Sequence, residues 1–584
     1  MAESKARALA SIIDNTGDIK STSLDNVSTG LTVYATIDDL PTSGLTSGQQ
    51  AFVTSANRVY VSNGSGWYSV ALFNATPRLT ISPSGAVTLA IDGSTPTVIT
   101  LTGTDSDNAD TNLVYSVESD GSFSNIATLS QDSSVFTITP LAEDSATPGS
   151  STLTFKVSDG VSFGSGTTTF SLTFGPDWTV APTESKLTAS DGATSDGFGS
   201  YVSLNSDATY FIAGAPNDDD GNTSAGSAYV FTRSGSTWTQ QAKLTASDPQ
   251  FFDQLGGGGL AFNTDATYVI VGAIQAGVVN AYYGAAYVFT RSGSTWTQQA
   301  KLTASDVGHS DQFGWAVAIN SDATYAIVGA HFEDGGAGNP SGNNGAAYIY
   351  YRVGSSWSQQ ARLPSFTNAA NAKFGSSVSM SSDGTYAAVG APGRYYASGN
   401  ISGLVYIYTR SGSTWTQQAE LVSSDPQTGD NFGRSVAMNP DATYMIIGAD
   451  GEDTGGSDAG AAYVFTRSGS TWTQQAKLTA SDAQATDYFG YSVSINSDGT
   501  FVVVGAYGED GGAGNPISSA GALYTFKRTG STWTQQSIIT ASDASTNGGY
   551  LAKSTSISSD GTYIAASGQY VNSGEGAAYI YEAG

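Results

Sequence analysis

The 584-residue sequence contains no cysteine and only two histidines, His309 and His331. The first absence removes disulfides and thiolate metal sites, and the second removes multi-histidine zinc sites and most imidazole catalysis. Positive charge is scarce as well. Lys and Arg number 22 against 50 Asp and Glu, a formal net charge of −28. With no basic run to neutralise phosphates, this balance argues against nucleic-acid binding. No apolar stretch approaches the ~18 residues of a membrane-crossing helix, so no membrane insertion is expected. Met1-Ala-Glu-Ser-Lys-Ala-Arg is not followed by the apolar run of a secretory signal. Charged residues make up only 12%, about half the usual share, so Ser, Thr, Asn, Gln and Gly must form much of the surface. Aromatics at 11% supply a core and exclude global disorder.

What the sequence does have is repetition. The phrase RSGSTWTQQA recurs almost verbatim. Tryptophans fall at Trp178, Trp238, Trp296, Trp357, Trp415, Trp472 and Trp533, 57 to 61 residues apart. A second marker, Asp, then Ala or Gly, then Thr, begins at Asp207, Asp265, Asp322, Asp383, Asp441, Asp498 and Asp560. Each unit reads as four short strands separated by Gly, Asn, Asp and Ser. In the third unit these are GWAVAIN, TYAIVGA, AAYIYYR and SWSQQARL. The expected fold class is all-β, with a seven-bladed β-propeller over 176–584. The last unit stops at Tyr579-Ile580-Tyr581-Glu582, after its third strand. Asp177-Trp178-Thr179-Val180 begins the array, so residues 177–187 are expected to supply the missing outer strand and close the ring.

Phe198-Gly199 followed by Gly214-Ala215-Pro216, and Phe374-Gly375 followed by Gly390-Ala391-Pro392, resemble FG-GAP repeats. Phe313-Gly314, Phe432-Gly433 and Phe489-Gly490 continue the first half. Gly329-Ala330, Gly448-Ala449 and Gly505-Ala506 continue the second without proline. That family includes the propeller of integrin α chains and many bacterial and viral surface proteins. The second unit departs with Leu255-Gly256, and the seventh with Leu551-Ala552 and Ser567-Gly568. The resemblance implies a calcium loop between the first two strands of a repeat. Here that connection is only Asn205-Ser206-Asp207-Ala208-Thr209 or its equivalent, too short for the six to eight oxygens Ca²⁺ prefers. The lone Asp is expected to bond its own backbone instead.

Up-and-down strands sort the connections onto two faces. One carries the uniform Ser-Asp-Ala-Thr and RSGSTW turns, with Arg233, Arg291, Arg352, Arg410, Arg467 and Arg528. The other is variable and acidic. It holds Asp218-Asp219-Asp220, Glu333-Asp334, Glu452-Asp453 and Glu509-Asp510. Asp pairs also precede the Phe-Gly step there, at Asp191/Asp196, Asp248/Asp253, Asp306/Asp311, Asp425/Asp430 and Asp482/Asp487. Variable loops on a repetitive scaffold are where binding resides. Phe251, Phe252, Tyr282, Tyr283, Phe332, Tyr395 and Tyr396 lie in these loops and are the expected ligand-binding residues, suited to stacking on sugars. Their bland alternative is packing between loops. Asp218 and Asp220 are candidate Ca²⁺ ligands, and turn capping is the competing role of the Asp pairs.

Residues 77–175 contain about seven turn-bounded strands, which predict an immunoglobulin-like sandwich. Asp105-Ser106-Asp107, Tyr115-Ser116-Val117 and Val157-Ser158-Asp159 resemble a cadherin-type domain, which implies Ca²⁺ at Asp105, Asp107 and Asp159. The register departs by a residue, and Ala109 stands where that family has Gly. Residues 1–30 are expected to be an anchor segment with a short helix over 1–13, and 31–76 small β-hairpins. This head resembles the N-terminal segments of tailed-phage appendage proteins. The resemblance implies attachment to other virion structural proteins and an outward-pointing C-terminus.

The expected function is therefore a virion appendage that presents the propeller to a host-surface glycan or protein. A homo-oligomer fits this reading, and Ca²⁺ is the one cofactor it admits. The alternative is an extracellular or cell-surface bacterial adhesin with the same domains. A polysaccharide-degrading enzyme is the third reading. The aspartates, however, recur unit after unit, whereas catalysis needs one distinct constellation, so no enzyme is expected.

Overall fold

The computed structural model describes residues 31–584 apart from 57, 71–75, 90–95, 106–112, 120, 142–148, 160–161, 173–175, 278–281, 307, 335–341, 364–370, 395–401, 511–518, 544–548 and 572–573. The expected anchor over 1–30 lies outside the described residues. The chain divides after Phe174 into two units.

In the first unit, Leu31–Tyr34, Ser47–Val53, Arg58–Asn63 and Trp67–Val70 form one sheet in that order. The first pair is parallel and the others antiparallel, so hairpins alone, as expected from sequence, do not describe this sheet. A 3-10 turn at Ile37–Asp39 with a Thr36/Asp39 capping box carries the chain across. Residues beyond it form two further four-stranded sheets. One orders Arg78–Ser82, Thr97–Thr104, Val135–Pro140 and Ala127–Asp132. The other orders Val87–Thr88, Phe163–Leu172, Gly149–Ser158 and Val114–Ser119. Both give their buried faces to one core containing Ile99, Leu101, Phe136, Ile138, Leu153, Phe155 and Phe170. Thr97–Thr104 alternates exposed and buried positions as a one-sided strand must.

Among its described residues the second unit contains seven four-stranded antiparallel sheets. The first orders Val202–Leu204, Tyr210–Ala215, Ser227–Ser234 and Thr237–Leu244, from the inside outward. The second strands are continuous apolar runs because neighbouring sheets cover both of their faces. Tyr325–Ala330, for example, is buried at every position. The outer strands begin by alternating, with Thr237 and Thr239 exposed and Trp238 half-buried, and their Gln residues are half-buried. Inner strands touch their neighbours all the way round, and Val202–Leu204 meets both Leu255–Phe262 and Thr555–Ile557. The ring closes where Thr183–Leu187 pairs antiparallel with Ala577–Glu582.

One sequence expectation is corrected at this closure. Asp177-Trp178-Thr179-Val180 is a turn, not strand, because the Asp177 carboxylate accepts from the Thr179 amide at 2.9 Å and its hydroxyl at 2.6 Å. Trp178 is 1% exposed and donates Nε1–H to the Gly561 carbonyl at 3.1 Å. The six later tryptophans of the repeat series sit inside outer strands. Trp296, Trp357, Trp415 and Trp533 donate to Gln241, Gln299, Gln360 and Gln475 of the preceding sheet.

The Phe-Gly and Gly-Ala steps mark places where neighbouring sheets touch backbone to backbone. A Cβ on Gly448 would lie 1.8 Å from the Gly490 carbonyl oxygen, and one on Gly329 2.1 Å from that of Gly375. Only glycine admits this approach. The preceding Phe anchors the step by packing edge-on against its own third strand, as Phe432 does on Tyr463 and Phe465.

Candidate functional site

One face of the ring is fully committed to structure. In each Asn-Ser-Asp-Ala-Thr turn the Asp holds the turn, as Asp207 accepts from Thr209 N at 3.0 Å and Oγ1 at 2.6 Å. These hydrogen bonds hold the Asp207, Asp265 and Asp322 carboxyls below their usual range against the opposing effect of burial. Successive turns are tied to one another. Ser206 N donates to Thr264 O, Ser321 N to Ser382 O, Ser382 N to Pro440 O, Ser497 N to Ser559 O and Ser559 N to Ser206 O. Asn263 and Asn439 side chains bridge to Ser321 O and Ser497 O and complete the circle. The arginines of this face donate to turn carbonyls and lie over a tyrosine of the preceding sheet. Arg291 donates to Ala266 O and Asp265 O and sits 4.4 Å from the Tyr210 ring.

The opposite face is built on a different principle. The residue before each Phe-Gly step has a positive φ in all seven repeats. These are Gly197, Gln254, Gln312, Lys373, Asn431, Tyr488 and Tyr550. Six of the seven are not glycine, a costly backbone state. The residue after the step also changes from repeat to repeat: Ser200, Trp315, Ser376, Arg434, Tyr491 and Lys553. So does the residue after Gly-Ala, with His331, Pro392, Asp450 and Tyr507. These three variable positions converge on the central channel. A cavity of about 430 Å³ at its mouth is lined by Trp315, His331, Phe332, Lys373, Arg434, Asp450, Tyr491 and Tyr507, among others.

Aromatic rings and cations alternate there. Trp315 lies 4.1 Å from His331, which lies 3.9 Å from Phe332. Arg434 sits 4.1 Å from the Tyr491 ring centre, with Nε 3.4 Å from Asp450. Lys553 lies 4.7 to 5.2 Å from the Tyr507, Tyr550 and Tyr570 rings. Burial, with the charges of Lys373 and Arg434, pushes His331 down to about 3, so it is neutral at pH 7. Burial and then Arg434 lower Lys553 too.

The FG-GAP repeat model matches residues 182–231, 238–289, 296–350, 357–408, 415–465 and 472–526, more than half of the chain. The chain belongs to the FG-GAP repeat family. The sequence matches no curated protein. Similar solved structures include the WD40 repeats of RRP9, at 11% identity and a TM-score of 0.43, covering 69% of this chain and 99% of that one. The periplasmic gluconolactonase of Pseudomonas aeruginosa is similar at 14% identity and a TM-score of 0.40, covering 61% and 92%. The FG-GAP signature explains the chemistry of the β-propeller's two faces. Its glycines seal the sheets, and the side chains beside them are free to differ.

Among the described residues expected from sequence to bind ligand, Phe332 alone lines the mouth. Phe251 and Phe252 are 50% and 47% exposed. Tyr283 packs on His309 at 5.4 Å, and Phe332 joins the mouth through His331. Tyr282 occupies a positive-φ position beside Tyr283. Tyr395 and Tyr396 lie outside the described residues. Asp218 and Asp220 converge with Asp191 on the Lys243 ammonium, at 2.8, 2.5 and 2.8 Å. Asp159 caps a turn by accepting from Ser162 N, Asp105 follows the strand Thr97–Thr104, and Asp107 lies outside the described residues. Among the described residues no group of three or more His, Asp or Glu is placed to hold a metal. The second Asp of each pair caps the turn before Phe-Gly, as Asp430 accepts from Gln427 N at 2.7 Å.

Sequence reasoning passed over Trp315, His331, Lys373, Arg434, Tyr491 and Lys553. The available signal was variation at three fixed offsets, immediately before and after the Phe-Gly step and immediately after the Gly-Ala step.

Proposed function

We propose that the chain is a recognition protein rather than a catalyst. In this reading it is a virion appendage of a tailed phage, attached through its N-terminal segment. An immunoglobulin- or cadherin-like sandwich precedes a seven-bladed FG-GAP propeller, which offers its variable-loop face to a host-surface glycan. The observation that carries the reading is the division of labour between the faces. One face spends every repeated polar group on turns and neighbouring sheets. The other gathers non-repeating aromatic and cationic side chains at the channel mouth. The only carboxylate lining that mouth among the described residues, Asp450, is held by Arg434 and by Asn431 at 3.0 Å. That leaves no pair of carboxyl groups for glycoside hydrolysis.

Two experiments test the reading. Immunogold labelling with antibody against the full chain should decorate tailed particles. Label on a bacterial envelope instead would favour the adhesin. Purified full chain should also compete with particles for host cells. Replacing Phe251, Phe252, Tyr282 and Tyr283 with Ser should weaken that competition, with and without chelator. A variant of this face that competes like wild type, beside loss of competition when the Arg-bearing turns are altered, would move the site to the opposite face.

A further inference from the structure

We propose that the channel mouth binds a carboxylate-bearing sugar residue, with Arg434, Lys373 and Lys553 around its carboxylate and Trp315 and Tyr491 against its ring. The inference rests on the recognition reading above and names the ligand class for that face. Charge supports it first. In a chain of net charge −28, every repeated cation of the ring already has a fixed duty. The turn arginines hold carbonyls, and Lys243, Lys301, Arg362 and Lys477 pair with carboxylates. Lys373 and Lys553 form no ion pair among the described residues, and Arg434 shares only Asp450. Lys373 and Arg434 line the cavity with one carboxylate, and Lys553 lines the adjoining stretch of channel with Arg434, so cations outnumber carboxylates there. Such an excess draws an anion to the channel mouth.

A buried polar group points the same way. His331 is 5% exposed and lines the cavity, and its Nδ1 has no hydrogen-bond partner among the described residues. That nitrogen is sealed from solvent, so a ligand hydroxyl reaches it only by shifting the Trp315 or Phe332 ring. The cavity of about 430 Å³ falls within the range of small-molecule sites and has room for one pyranose. Its walls distinguish a sugar acid from a bare anion. Phosphate would use the cations and leave the Trp315 and Tyr491 faces uncovered, whereas a pyranose lays its C–H face on them. The planar Arg434 guanidinium matches a carboxylate in fork geometry.

The test uses purified full chain and free sugars, so it does not depend on particles or host cells. Glucuronate, N-acetylneuraminate, glucose and inorganic phosphate are titrated separately by calorimetry and by tryptophan fluorescence. The acidic sugars should bind about tenfold or more tightly than glucose, and more weakly as salt rises. They should change tryptophan emission, and Trp315→Phe should abolish that change. Lys553→Gln and Arg434→Gln should each reduce affinity about tenfold, while Lys527→Gln leaves it unchanged. Should Arg434→Gln melt early through loss of Asp450, Lys553→Gln still decides, since that lysine supports no ion pair. Equal binding of glucose and glucuronate, or no binding of either acidic sugar, overturns the inference. So does phosphate binding as tightly as the sugar acids without an emission change. Host-cell competition that persists when no acidic sugar binds removes this ligand class and leaves the recognition role standing.

Discussion

Glycine at the Phe-Gly and Gly-Ala steps is the residue on which sheet-to-sheet contact depends. Gly448→Ala would place a methyl group 1.8 Å from the Gly490 oxygen, and backbone on both sides cannot rotate away. Stability should fall by about 3 kcal/mol, read as a lower melting temperature. Gly192→Ala, where the added Cβ meets only ordinary contacts at 3.5 Å, should stay within about 0.5 kcal/mol. These glycines were legible in the sequence because they recur in phase. The acidic residues were less so. The repeated Lys–carboxylate pairing is inverted in the fourth sheet, where Arg394 stands in place of Asp218, Glu333 or Glu452, and Glu420 in place of Lys243 or Lys477. From composition alone, both patterns look like a generally acidic face.

Buried aspartates give a second residue-scale prediction. Desolvation raises Asp311, Asp430 and Asp487 to about 6 despite their backbone hydrogen bonds, with neighbouring carboxylates adding to the shift. A carboxyl raised in the folded state holds its proton more tightly than the unfolded chain does. Its stabilisation is therefore full below about pH 4 and is lost as pH rises through about 6. The turn aspartates such as Asp207 and Asp383 are lowered, mainly by hydrogen bonds from Thr and neighbouring groups that outweigh burial. They act in the opposite sense and lose their contribution as pH falls below about 4. The melting temperature should therefore peak near pH 4. Replacing Asp311, Asp430 and Asp487 together with Asn should flatten the fall between pH 5 and 7. An unchanged slope in that variant would mean that other groups set it.

At the scale of the element, the informative strand is the one that closes the ring. In five repeats the first Gln of the outer strand clasps a Ser in the linker before its repeat, as Gln298 accepts from Ser247 N and donates to its Oγ, while Gln417 donates to Glu420 instead. Thr183–Leu187 lacks both the bulge and the Gln of the other outer strands. Glu184 takes that Gln's place opposite Tyr581 and accepts from Ser542 N at 2.9 Å and Oγ at 2.6 Å. The need for a closing strand was legible from the truncated last repeat. Its register was not, because Trp178 matches the tryptophan spacing while filling its pocket from a turn. Glu184→Gln should be nearly neutral, since it restores the clasp found elsewhere, whereas Glu184→Ala should cost about 1–2 kcal/mol. Trp178→Ala should cost about 3–5 kcal/mol through the cavity it leaves. Chemical denaturation of the three variants checks the order, and a Trp178→Ala protein as stable as wild type would deny that residue its plugging role.

At the scale of the whole molecule, period and phase revealed the repeated sheets, their order and the sorting of connections between two faces. They did not reveal the channel mouth, because Trp315, Arg434, Tyr491 and Lys553 lie far apart in sequence and meet only once the ring closes. The same closure argues that residues 175–584 form an autonomous folding unit. Its clusters of buried side chains run from sheet to sheet and draw on no residue before Trp178. The belt of turn-to-turn hydrogen bonds also begins and ends inside it. A fragment of 175–584 should show the far-UV spectrum of a β-protein and melt in one transition. Its melting temperature should match the corresponding transition of the full chain. A fragment of 175–576, which lacks Ala577–Glu582, loses the strand that pairs with both Thr183–Leu187 and Tyr563–Gly568. That fragment exposes two sheet edges and should aggregate or remain protease-sensitive. Equal stability of the two fragments would show that the ring holds without its closing strand.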